Sequence, residues 1–325
     1  MNKPKARDAA AEKQRQVQRE QDSKDQRKSS QSKQDKAVQA GSRAQPEPPL
    51  AEPHHEKPGT EAQMQIKPRF EAPGYKGSGK LEGKVAIVTG GDSGIGRAVA
   101  VLYAREGADV AIVYLASDED AQETRRWIEK EGGKCLLIPG DVKDSKFCKQ
   151  AVEKTVKEFG RLDILVNNAA FQEHANSIED ITDERLEETF RTNIFGYFYM
   201  ARAAVPHMKE GSAIVNTTSV VSLRGSKQLL DYSATKGAIN SFTYSLAESL
   251  VDKGIRVNAV APGPVWTPLN PADKDAESVK KFGKHTAMKR PAQPEELSPA
   301  YVFLAAPACS SYITGAIIPV TGEIG

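Results

Sequence analysis

Three residues in the second half of the chain have side chains suited to proton transfer: Ser219, Tyr232 and Lys236. Tyr232 and Lys236 are four positions apart in the segment YSATK, a spacing that places both on one face of a helix. A phenol has a pKa of about 10, and a neighbouring ammonium favours its ionised form, so we expect Lys236 to lower the pKa of Tyr232. Ser219, at the end of a predicted strand, is suited to hydrogen-bonding a substrate oxygen on which charge develops. The set predicts a proton donor and acceptor, although a YxxxK segment by itself is more often a surface pair.

A glycine-rich segment near residue 90 is suited to binding phosphate. The residues TGGDSGIG, from Thr89 to Gly96, lie between an apolar run and the helix-forming stretch RAVAVLYAREG. Glycines in such a strand-to-helix turn let the backbone approach a pyrophosphate, whose negative charge lies at the helix N-terminus. The spacing is GxxxGxG, which differs from the more widespread GxGxxG pattern. The position of the turn, more than its glycines alone, favours a nucleotide site over a purely structural turn.

These residues lie among short apolar runs that alternate with helix-length segments. The runs are rich in β-branched residues and cover 84–90, 109–114, 134–141, 162–169, 212–219, 256–263 and 316–322. The helical segments cover 95–106, 118–131, 145–159, 184–209, 232–252 and 295–306. Near-continuous apolar strands suit a parallel sheet buried on both faces, and their alternation with helices requires right-handed crossovers. The predicted fold class is α/β: a single doubly wound parallel sheet of about seven strands, with helices on both faces.

The first 80 residues differ in composition from the rest. Residues 1–58 have no aromatic side chain and almost no branched aliphatic one, so they cannot offset a backbone entropy cost of roughly 1–2 kcal/mol per residue. We expect a disordered polar leader there. Residues 59–80 carry scattered apolar side chains between Pro and Gly residues, which indicates an extended arm on the body or on a neighbouring subunit. Residues 81–325 are expected to form one folded domain that carries the residues above.

The charge is divided between the two parts. Residues 1–80 have a net charge of +6 and residues 81–325 a net charge of −4, which argues against a nucleic-acid-binding domain and favours small-molecule chemistry. Cys135, Cys148 and Cys309 lack the spacing of a disulfide framework or a metal site, and we expect neither. No apolar run reaches the roughly 18 residues of a membrane span, and no secretory signal is recognisable. We expect a cytoplasmic protein without membrane or nucleic-acid partners.

A longer series of motifs resembles the short-chain dehydrogenase/reductase family over about residues 81–325. In chain order it consists of TGGDSGIG at 89–96, NNA at 167–169, Asn193, Ser219, YSATK at 232–236 and PGPVWT at 262–267. The leader and the stretch DYSATKGAI are similar to bacterial oxidoreductases related to glucose or ribitol dehydrogenases. The resemblance implies a Rossmann-type fold. It also implies hydride transfer between a nicotinamide cofactor, NADP or NAD, and a carbonyl or alcohol carbon of a small aldehyde, ketone or sugar-like polyol.

The resemblance further implies roles for individual residues. Tyr232 is the general acid and base, Lys236 assists it, Ser219 orients the substrate oxygen, and Asn193 holds a water in a proton relay. The residues implied in dinucleotide binding are Gly90, Asp92, Ser93, Gly94, Ile95 and Gly96 at the phosphates, Asp141 and Val142 at the adenine, Asn168 near the middle, Tyr232 and Lys236 at the nicotinamide ribose, and Pro262, Gly263, Val265 and Thr267 at the carboxamide. The alternative for Asn193 is a polar residue of the helix interior.

Two short segments depart from the family pattern. The family usually has NNAG where this chain has Asn167, Asn168, Ala169 and Ala170, so a small side chain replaces a glycine that permits close approach. The last predicted strand ends in VTGEIG, where many relatives carry a DGG-type ending. We therefore expect slightly shifted geometry at Ala170 and different contacts in the last loop.

The choice of dinucleotide is usually set just after the second strand, by an acid at the ribose 2′-hydroxyl or a basic residue at the 2′-phosphate. Tyr114, Leu115, Ala116 and Ser117 occupy these positions, with neither an acid nor an arginine. Because no carboxylate opposes a 2′-phosphate, we expect NADP to be favoured, with NAD also able to bind.

The wall of the substrate site is expected to include Phe171, His174, Val221, Leu223 and the segment 266–290. His174 is interpreted as a loop histidine rather than a catalytic one, since the tyrosine and lysine already supply the acid and base. Two other functions remain open: a non-catalytic dinucleotide-binding redox sensor that acts through the leader, and nucleic-acid binding through the leader. By resemblance we also expect a homo-oligomer, either a dimer or a tetramer, built through the helices 184–209 and 232–252.

Overall fold

The structure, a computed structural model, describes residues 36–323, and within them seven parallel strands form one sheet. The strands are β1 (Val85–Thr89), β2 (Asp109–Tyr114), β3 (Cys135–Pro139), β4 (Ile164–Asn167), β5 (Ala213–Thr217), β6 (Arg256–Pro262) and β7 (Ile317–Val320). Their order across the sheet is β3-β2-β1-β4-β5-β6-β7. Every predicted apolar run corresponds to a strand, and the predicted doubly wound α/β fold is confirmed.

Helices cover both faces of this sheet. They are α1 (Gly94–Arg105), α2 (Asp118–Lys130), α3 (Ser145–Phe159), α4 (Asp183–Phe190), α5 (Gly196–Ala204), α6 (Val221–Arg224), α7 (Leu230–Leu250), α8 (Ala276–Lys280), α9 (Pro294–Ala305) and α10 (Pro307–Ser310). The short helices α6, α8 and α10 lie in segments where we expected no helix. Within the described residues, no helix combines the length and apolar character needed to cross a bilayer.

The predicted helix 184–209 is not one regular helix. A π-helical turn, Arg191–Phe195, separates α4 from α5, and a 3₁₀ turn, Val205–His207, follows α5. In the π turn the amide of Gly196 donates to the carbonyl of Arg191, five residues earlier. Such a turn is a short insertion within otherwise helical backbone, and we did not predict it. It lies beside the site, because it carries Asn193.

Local sequence signals account for several helix ends. The side chain of Asp144 accepts a hydrogen bond from the amide of Lys146 at 2.8 Å and so caps the N-terminus of α3. The same helix ends at Gly160, whose φ of 79° is the left-handed conformation that glycine adopts most readily at a helix C-terminus. These two residues explain why the predicted bounds of this helix, 145–159, agree with the structure.

The apolar core lies on both sides of the sheet. On β1, Ala86 and Val88 pack into one cluster with residues of α1 and α9, while Ile87 packs into a second cluster with α3 and α5. This alternation follows from the two-residue side-chain period of a strand. Because both faces are covered, β1, β4, β5 and β6 are buried along their whole length. The sheet is therefore a rigid base for the loops at its carboxyl edge.

The chain divides into two units, residues 1–37 and 38–325, and the sheet belongs to the second. Residues 38–80, here called the arm, lie against residues 81–323, here called the body. Leu50 is only 2% exposed and packs with Met64, Trp266 and Val279, and the indole Nε1 of Trp266 donates to the carbonyl of Ile66 at 2.8 Å.

We expected a disordered leader through residue 58, and for residues 38–58 the structure differs from that expectation. These residues do not form a core of their own. They are ordered by contacts with the body, which their amino-acid composition alone does not predict. The part of the predicted leader in residues 1–35 lies outside the described residues. The extended arm expected at 59–80 lies on the body, as one continuous segment with residues 38–58.

Candidate active site

The site is a cleft of about 650 Å³ at the carboxyl edge of the sheet. In a parallel sheet the loops after all strands meet at one edge, and the chain reverses its strand order between β1 and β4, where such folds form a crevice. The predicted site residues that line the cleft are Gly90, Asp92, Ser93, Gly94, Ile95, Asp141, Val142, Asn168, Ser219, Tyr232, Lys236, Pro262, Gly263, Val265 and Thr267. Of the predicted residues, Gly96 and Asn193 lie behind this lining.

The glycine turn after β1 has the shape that a phosphate-binding turn requires. Gly90 and Gly94 have φ values of 62° and 50°, in the left-handed region. A Cβ on Gly96 would lie 1.9 Å from the carbonyl oxygen of Gly90, so no larger residue fits there. The turn leads into the N-terminus of α1, whose amides and dipole favour an anion. These features fit the phosphates of a dinucleotide.

Asn168 fixes the glycine turn to the rest of the cleft. Its Nδ2 donates to the carbonyls of Thr89 and Gly90 at 3.1 and 3.2 Å, and its Oδ1 accepts from Thr217 Oγ1 at 3.4 Å. The side chain therefore links the loops after β1, β4 and β5. Ala170, which stands where relatives have glycine, is not among the described non-glycine residues with positive φ, so an alanine is tolerated there.

The three residues proposed for proton transfer come together in the cleft. Ser219, after β5, and Tyr232, on α7, both line the cleft, and Ser219 lies close enough to Tyr232 to lower the pKa of its phenol. The Nζ of Lys236 lies 5.3 Å from the centroid of the Tyr232 ring and donates to the carbonyl of Thr217 at 2.8 Å. Lys236 is 1% exposed and Tyr232 is 8% exposed. The one-turn spacing on α7 thus places both groups beside Ser219, as the sequence predicted.

Burial dominates the protonation of this group. It raises the pKa of Tyr232 above its ordinary value, while Ser219 acts in the opposite direction. Burial also lowers the pKa of Lys236 to about 7. We expected Lys236 to lower the pKa of Tyr232, and the direction found is the opposite. The reason is that withdrawing the phenolate from water costs more free energy than its neighbours return.

Asn193 is fully buried behind the cleft, in the π turn. Its Oδ1 accepts from the amide of Phe171 at 2.8 Å, and its Nδ2 donates to the carbonyl of Phe171 at 2.9 Å and to Thr235 Oγ1 at 3.1 Å. Thr235 precedes Lys236 on α7. The side chain therefore clamps the loop after β4 to the helix that carries Tyr232 and Lys236, which is a positioning role.

The end of the cleft where we expect the dinucleotide contains the residues at the ends of β2 and β3. Tyr114, Leu115, Ala116 and Ser117 line it, and the Tyr114 hydroxyl donates to Asp118 Oδ1 at 2.7 Å. Asp92, in the glycine turn, also lines the cleft, and burial raises its pKa to about 6.

The predicted substrate wall is only partly correct. Phe171 and Val221 line the cleft, as does much of the segment 267–285. His174 and Leu223 do not, and Trp266 is completely buried against the arm. The Nδ1 of His174 lies 3.1 Å from Asp273 Oδ1, so the imidazole contacts a neighbouring loop.

Several residues at the site carried no signal in the sequence. Thr217 supplies the carbonyl that accepts from Lys236, and Pro58 and Gly59 of the arm line the cleft. Within the described residues, Glu173, His174 and Asp273 form one group with metal-ligand geometry. However, Lys57 pairs with Glu173 at 3.1 Å, and Gln172 donates to Asp273 Oδ2 at 2.6 Å, so these carboxylates already have protein partners.

Comparison with known proteins gives matches over most of the chain. A family model described as enoyl-(acyl carrier protein) reductase matches residues 90–322. The chain is 59% identical over 273 residues to the uncharacterized oxidoreductase YhdF of Bacillus subtilis (strain 168), which covers 83% of this chain and 94% of that protein. It is 51% identical over 274 residues to NADPH-dependent aldehyde reductase 1, chloroplastic, of Arabidopsis thaliana (82% and 95%). It is also 51% identical over 273 residues to the glucose and ribitol dehydrogenase of Daucus carota (82% and 93%).

A solved structure of similar fold is that of a short chain dehydrogenase from Burkholderia cenocepacia J2315 in complex with NADP. Its TM-score is 0.71 at 34% identity, and the match covers 75% of this chain and 98% of that chain. Almost all of that protein is therefore matched, while the remaining quarter of this chain has no counterpart in it.

Proposed function

The chain belongs to the short-chain dehydrogenase/reductase family, as its motifs predicted, and from this premise we propose that it transfers a hydride between NADP and the carbonyl or alcohol carbon of a small substrate. Membership of the family makes the chain an NAD(P)-dependent oxidoreductase. The observation that carries the finer proposal is the meeting of Ser219, Tyr232 and Lys236 at a cleft that also contains the glycine turn. A small aldehyde is the substrate class we favour, and ketones and sugar-like polyols are the alternatives.

The proposed proton chemistry follows from the positions of three side chains. A bound nicotinamide supplies or accepts the hydride. The hydroxyl of Tyr232 gives a proton to the substrate oxygen in reduction, and the Tyr232 phenolate takes one in alcohol oxidation. The hydroxyl of Ser219 holds the same oxygen by a hydrogen bond as charge develops on it. The pKa of Lys236, about 7, gives its amine both protonation states near neutral pH, so that it can return a proton to Tyr232. Asn193 holds α7 and the loop after β4 in fixed relative positions, and we propose that this supports a proton relay through water.

The dinucleotide would be held along the length of the cleft. Its phosphates would lie in the turn formed by Gly90, Asp92, Ser93, Gly94, Ile95 and Gly96. The adenine would contact Asp141 and Val142. Asn168 would contact the middle of the molecule, and Tyr232 and Lys236 the nicotinamide ribose. Pro262, Gly263, Val265 and Thr267, after β6, would meet the carboxamide. Support for this assignment comes from the cleft lining and from the glycine turn, which leaves room for backbone contacts with phosphate.

We propose NADP as the preferred dinucleotide, with NAD as a weaker ligand. No carboxylate among Tyr114, Leu115, Ala116 and Ser117 opposes a 2′-phosphate at the end of β2. Two relatives support the choice: an NADPH-dependent aldehyde reductase at 51% identity and a dehydrogenase solved with NADP. The aldehyde reductase also favours an aldehyde substrate, while the carrot glucose and ribitol dehydrogenase keeps polyols open. A non-catalytic redox sensor is less favoured, because the groups for proton transfer are all in place.

We also propose a cytoplasmic homo-oligomer, a dimer or a tetramer. Cys135, Cys148 and Cys309 are free thiols, which suits a reducing compartment. Phe198 on α5 and Tyr244 on α7 are 50% and 52% exposed, and they lie on the helices where we expected the subunits to meet.

The test is the variant Tyr232→Phe, assayed with aldehydes, ketones and polyols and each dinucleotide by the absorbance of the reduced nicotinamide. We expect kcat to fall by about 10²- to 10⁴-fold, since the phenol proton is lost, and NADPH binding measured by calorimetry to be retained. The control is Tyr312→Phe, a fully exposed tyrosine outside the cleft lining and outside the helices of the proposed subunit contact, which should leave kcat unchanged. Undiminished turnover by Tyr232→Phe would overturn the assignment of the proton donor.

A further inference from the structure

One side chain of the arm reaches into the glycine turn of the body. The carboxylate of Glu61 accepts through Oε2 from the backbone amide of Gly94 at 2.8 Å, and through Oε1 from Arg97 Nη1 at 2.6 Å. Glu61 is 2% exposed and Arg97 is 3% exposed. An arm residue thus occupies one of the amides at the N-terminus of α1, where the dinucleotide phosphates are proposed to bind.

Arg97 extends this contact through the turn itself. Its Nε and Nη2 donate to the carbonyl of Asp92 at 3.0 and 2.8 Å, and Nε also donates to Thr124 Oγ1 at 2.9 Å. The guanidinium therefore connects the carboxylate of Glu61 with the middle of the glycine turn and with α2. Loss of the Glu61 carboxylate would release both Gly94 and one side of Arg97.

The backbone of the arm is held at the same place. The amides of Glu61 and Ala62 donate to Asp120 Oδ2 and Oδ1 at 2.7 and 2.9 Å. Asp120 lies in the first turn of α2 and is 2% exposed. The arm is consequently locked to α2 through its backbone and to α1 through its carboxylate, so that Glu61 has a fixed position relative to the turn.

The electrostatics of the turn accommodate a buried carboxylate. Burial raises the pKa of Glu61 to about 7, while Arg97 and the amide of Gly94 act in the opposite direction. Arg97 offsets part of the charge of the carboxylate, although the same guanidinium also lies 3.4 Å from Asp120 Oδ1, and the positive end of α1 favours a carboxylate there.

The arm also borders the cleft next to this contact. Pro58 and Gly59 line it. A Cβ on Gly59 would lie 2.9 Å from the carbonyl oxygen of Pro268 and 2.9 Å from the Cβ of Ala272, so the arm lies directly against the loop after β6. The family model begins at residue 90, so the arm lies outside the residues that this model matches.

We propose that Glu61 is a positioning residue of the dinucleotide site, and that the arm acts through it to hold the glycine turn in the conformation that binds phosphate. The proposal rests on the proposed dinucleotide-dependent function. It assigns the arm a direct effect on dinucleotide affinity and none on the chemical step. The effect should therefore fall on the dinucleotide Kd and KM, and leave kcat at saturating dinucleotide unchanged.

The experiment compares Glu61→Ala and Glu61→Gln with the wild type and with the control Glu52→Gln, all in the full chain. Glu52 is an equally buried carboxylate of the arm, but it accepts only from His55, Gln65 and Ile66, within the arm itself. NADPH binding is measured by calorimetry, and kcat and KM by steady-state kinetics. We expect Glu61→Ala to weaken NADPH binding about tenfold, as for one lost hydrogen bond to a charged group. Glu61→Gln should weaken it less, because an amide oxygen still accepts from Gly94, and Glu52→Gln should bind as the wild type does.

Three outcomes are decisive. Wild-type affinity in Glu61→Ala, or equal weakening in Glu61→Ala and Glu52→Gln, overturns the proposal. A fall in kcat with unchanged NADPH affinity overturns it too, since Glu61 would then act on the chemistry. If Glu61→Ala does not fold, as judged by its thermal transition, the near-isosteric Glu61→Gln decides by the same criteria. If the wild type itself binds neither NADPH nor NADH, the proposed function has failed, which is distinguishable from a failure at Glu61 alone.

Discussion

The body and the arm are ordered by different interactions. In the body, whole strands such as β5 and β6 are buried, and apolar clusters fill both faces of the sheet. The arm has no helix or strand within residues 38–80 and only a few apolar anchors, chiefly Leu50 and Met64. Polar contacts also hold the arm on the body, among them the hydrogen bonds from the arm backbone to Asp120. The body has apolar clusters of its own that stabilise its fold, whereas the arm is ordered by its contacts with the body.

One buried charge of the body differs from those of the arm. The buried carboxylates of the arm have partners: Glu61 pairs with Arg97 at 2.6 Å, and Glu52 contacts the imidazole of His55 at 2.9 Å. In the body, Lys236 is buried beside Tyr232, and within the described residues no carboxylate lies in ion-pair range of it. Burying an unpaired ammonium costs free energy. The body thus carries a destabilising group at its site, while the arm contributes buried groups that hold one another in place.

The largest expected effect tests that cost. Lys236→Met removes the buried amine, whose pKa is lowered from 10.5 to about 7. Between these values the native state binds fewer protons than the unfolded state, so the wild type gains stability as pH rises. We expect Lys236→Met to be the more stable protein at about pH 6.5, and its advantage to shrink by up to about 5 kcal/mol as pH approaches that of a free lysine. Urea unfolding at several pH values measures this difference.

Lys227→Met is the control for that measurement, because Lys227 is exposed in the loop before α7. Its free energy of unfolding should differ from the wild type by an amount independent of pH. A pH-independent difference for Lys236→Met as well would mean that the amine is not held neutral in the fold, and the contrast between the two regions in buried charge would be lost.

The second prediction separates global from local stability. Leu165 in β4 is completely buried in the body, and Leu50 is 2% exposed under the arm. Leu165→Ala should lower the free energy of global unfolding by about 4 kcal/mol, as for a core cavity. Leu50→Ala should cost about 2 kcal/mol, mainly as local opening of residues 38–80, with a smaller change in the global transition. Urea unfolding reports the first effect, and amide hydrogen exchange reports the second.

Equal losses of global stability in the two variants would contradict this contrast. The arm would then unfold in one step with the body. Its contacts would contribute as much to the free energy of global unfolding as the apolar core does. Increased exchange confined to residues 38–80 in Leu50→Ala would instead support an arm that opens while the sheet stays folded.

The difference between the regions also explains what the sequence could predict. The run 84–90 and the strand Val85–Thr89 agree because β-branched residues buried on both faces leave a local pattern, and the sites at strand ends follow from the topology. Ser219, Tyr232 and Lys236 therefore lie at one cleft with the residues of the glycine turn, and their roles stay predictions. The signals for these sites are local in sequence, and the sheet brings them together.

The parts that sequence did not predict depend on distant partners. Leu50 is one apolar residue in a polar segment, and its partner Trp266 is more than 200 positions away. Glu61 resembles any surface acid until Gly94 and Arg97 are placed beside it. The rise in the pKa of Tyr232 could not be predicted either, because it depends on the degree of burial rather than on the YxxxK spacing.

The smallest predicted effect concerns Lys57. This arm residue contacts the loops of the proposed substrate region, as Glu61 contacts the glycine turn. Its Nζ donates to the carbonyls of Gln172 at 2.7 Å and Ala272 at 3.1 Å, and so joins two loops that flank the cleft. Lys57→Met keeps the apolar stem and removes the donors, so the loops should lose their fixed spacing. We expect the KM for the carbonyl substrate to rise about fivefold, as for a net loss of about 1 kcal/mol, with NADPH affinity unchanged.

Steady-state kinetics and calorimetry on the same preparations separate these two quantities, with Lys76→Met, an exposed lysine of the arm, as the control. A change in NADPH affinity in Lys57→Met, or an equal change of KM in Lys76→Met, would show that the arm acts on the cleft as a whole. If Lys57→Met changes only the KM for the carbonyl substrate and Glu61→Ala changes only the NADPH affinity, the arm contacts the two halves of the cleft independently. The arm would then hold both binding regions by single polar residues, while the body alone supplies the groups that react.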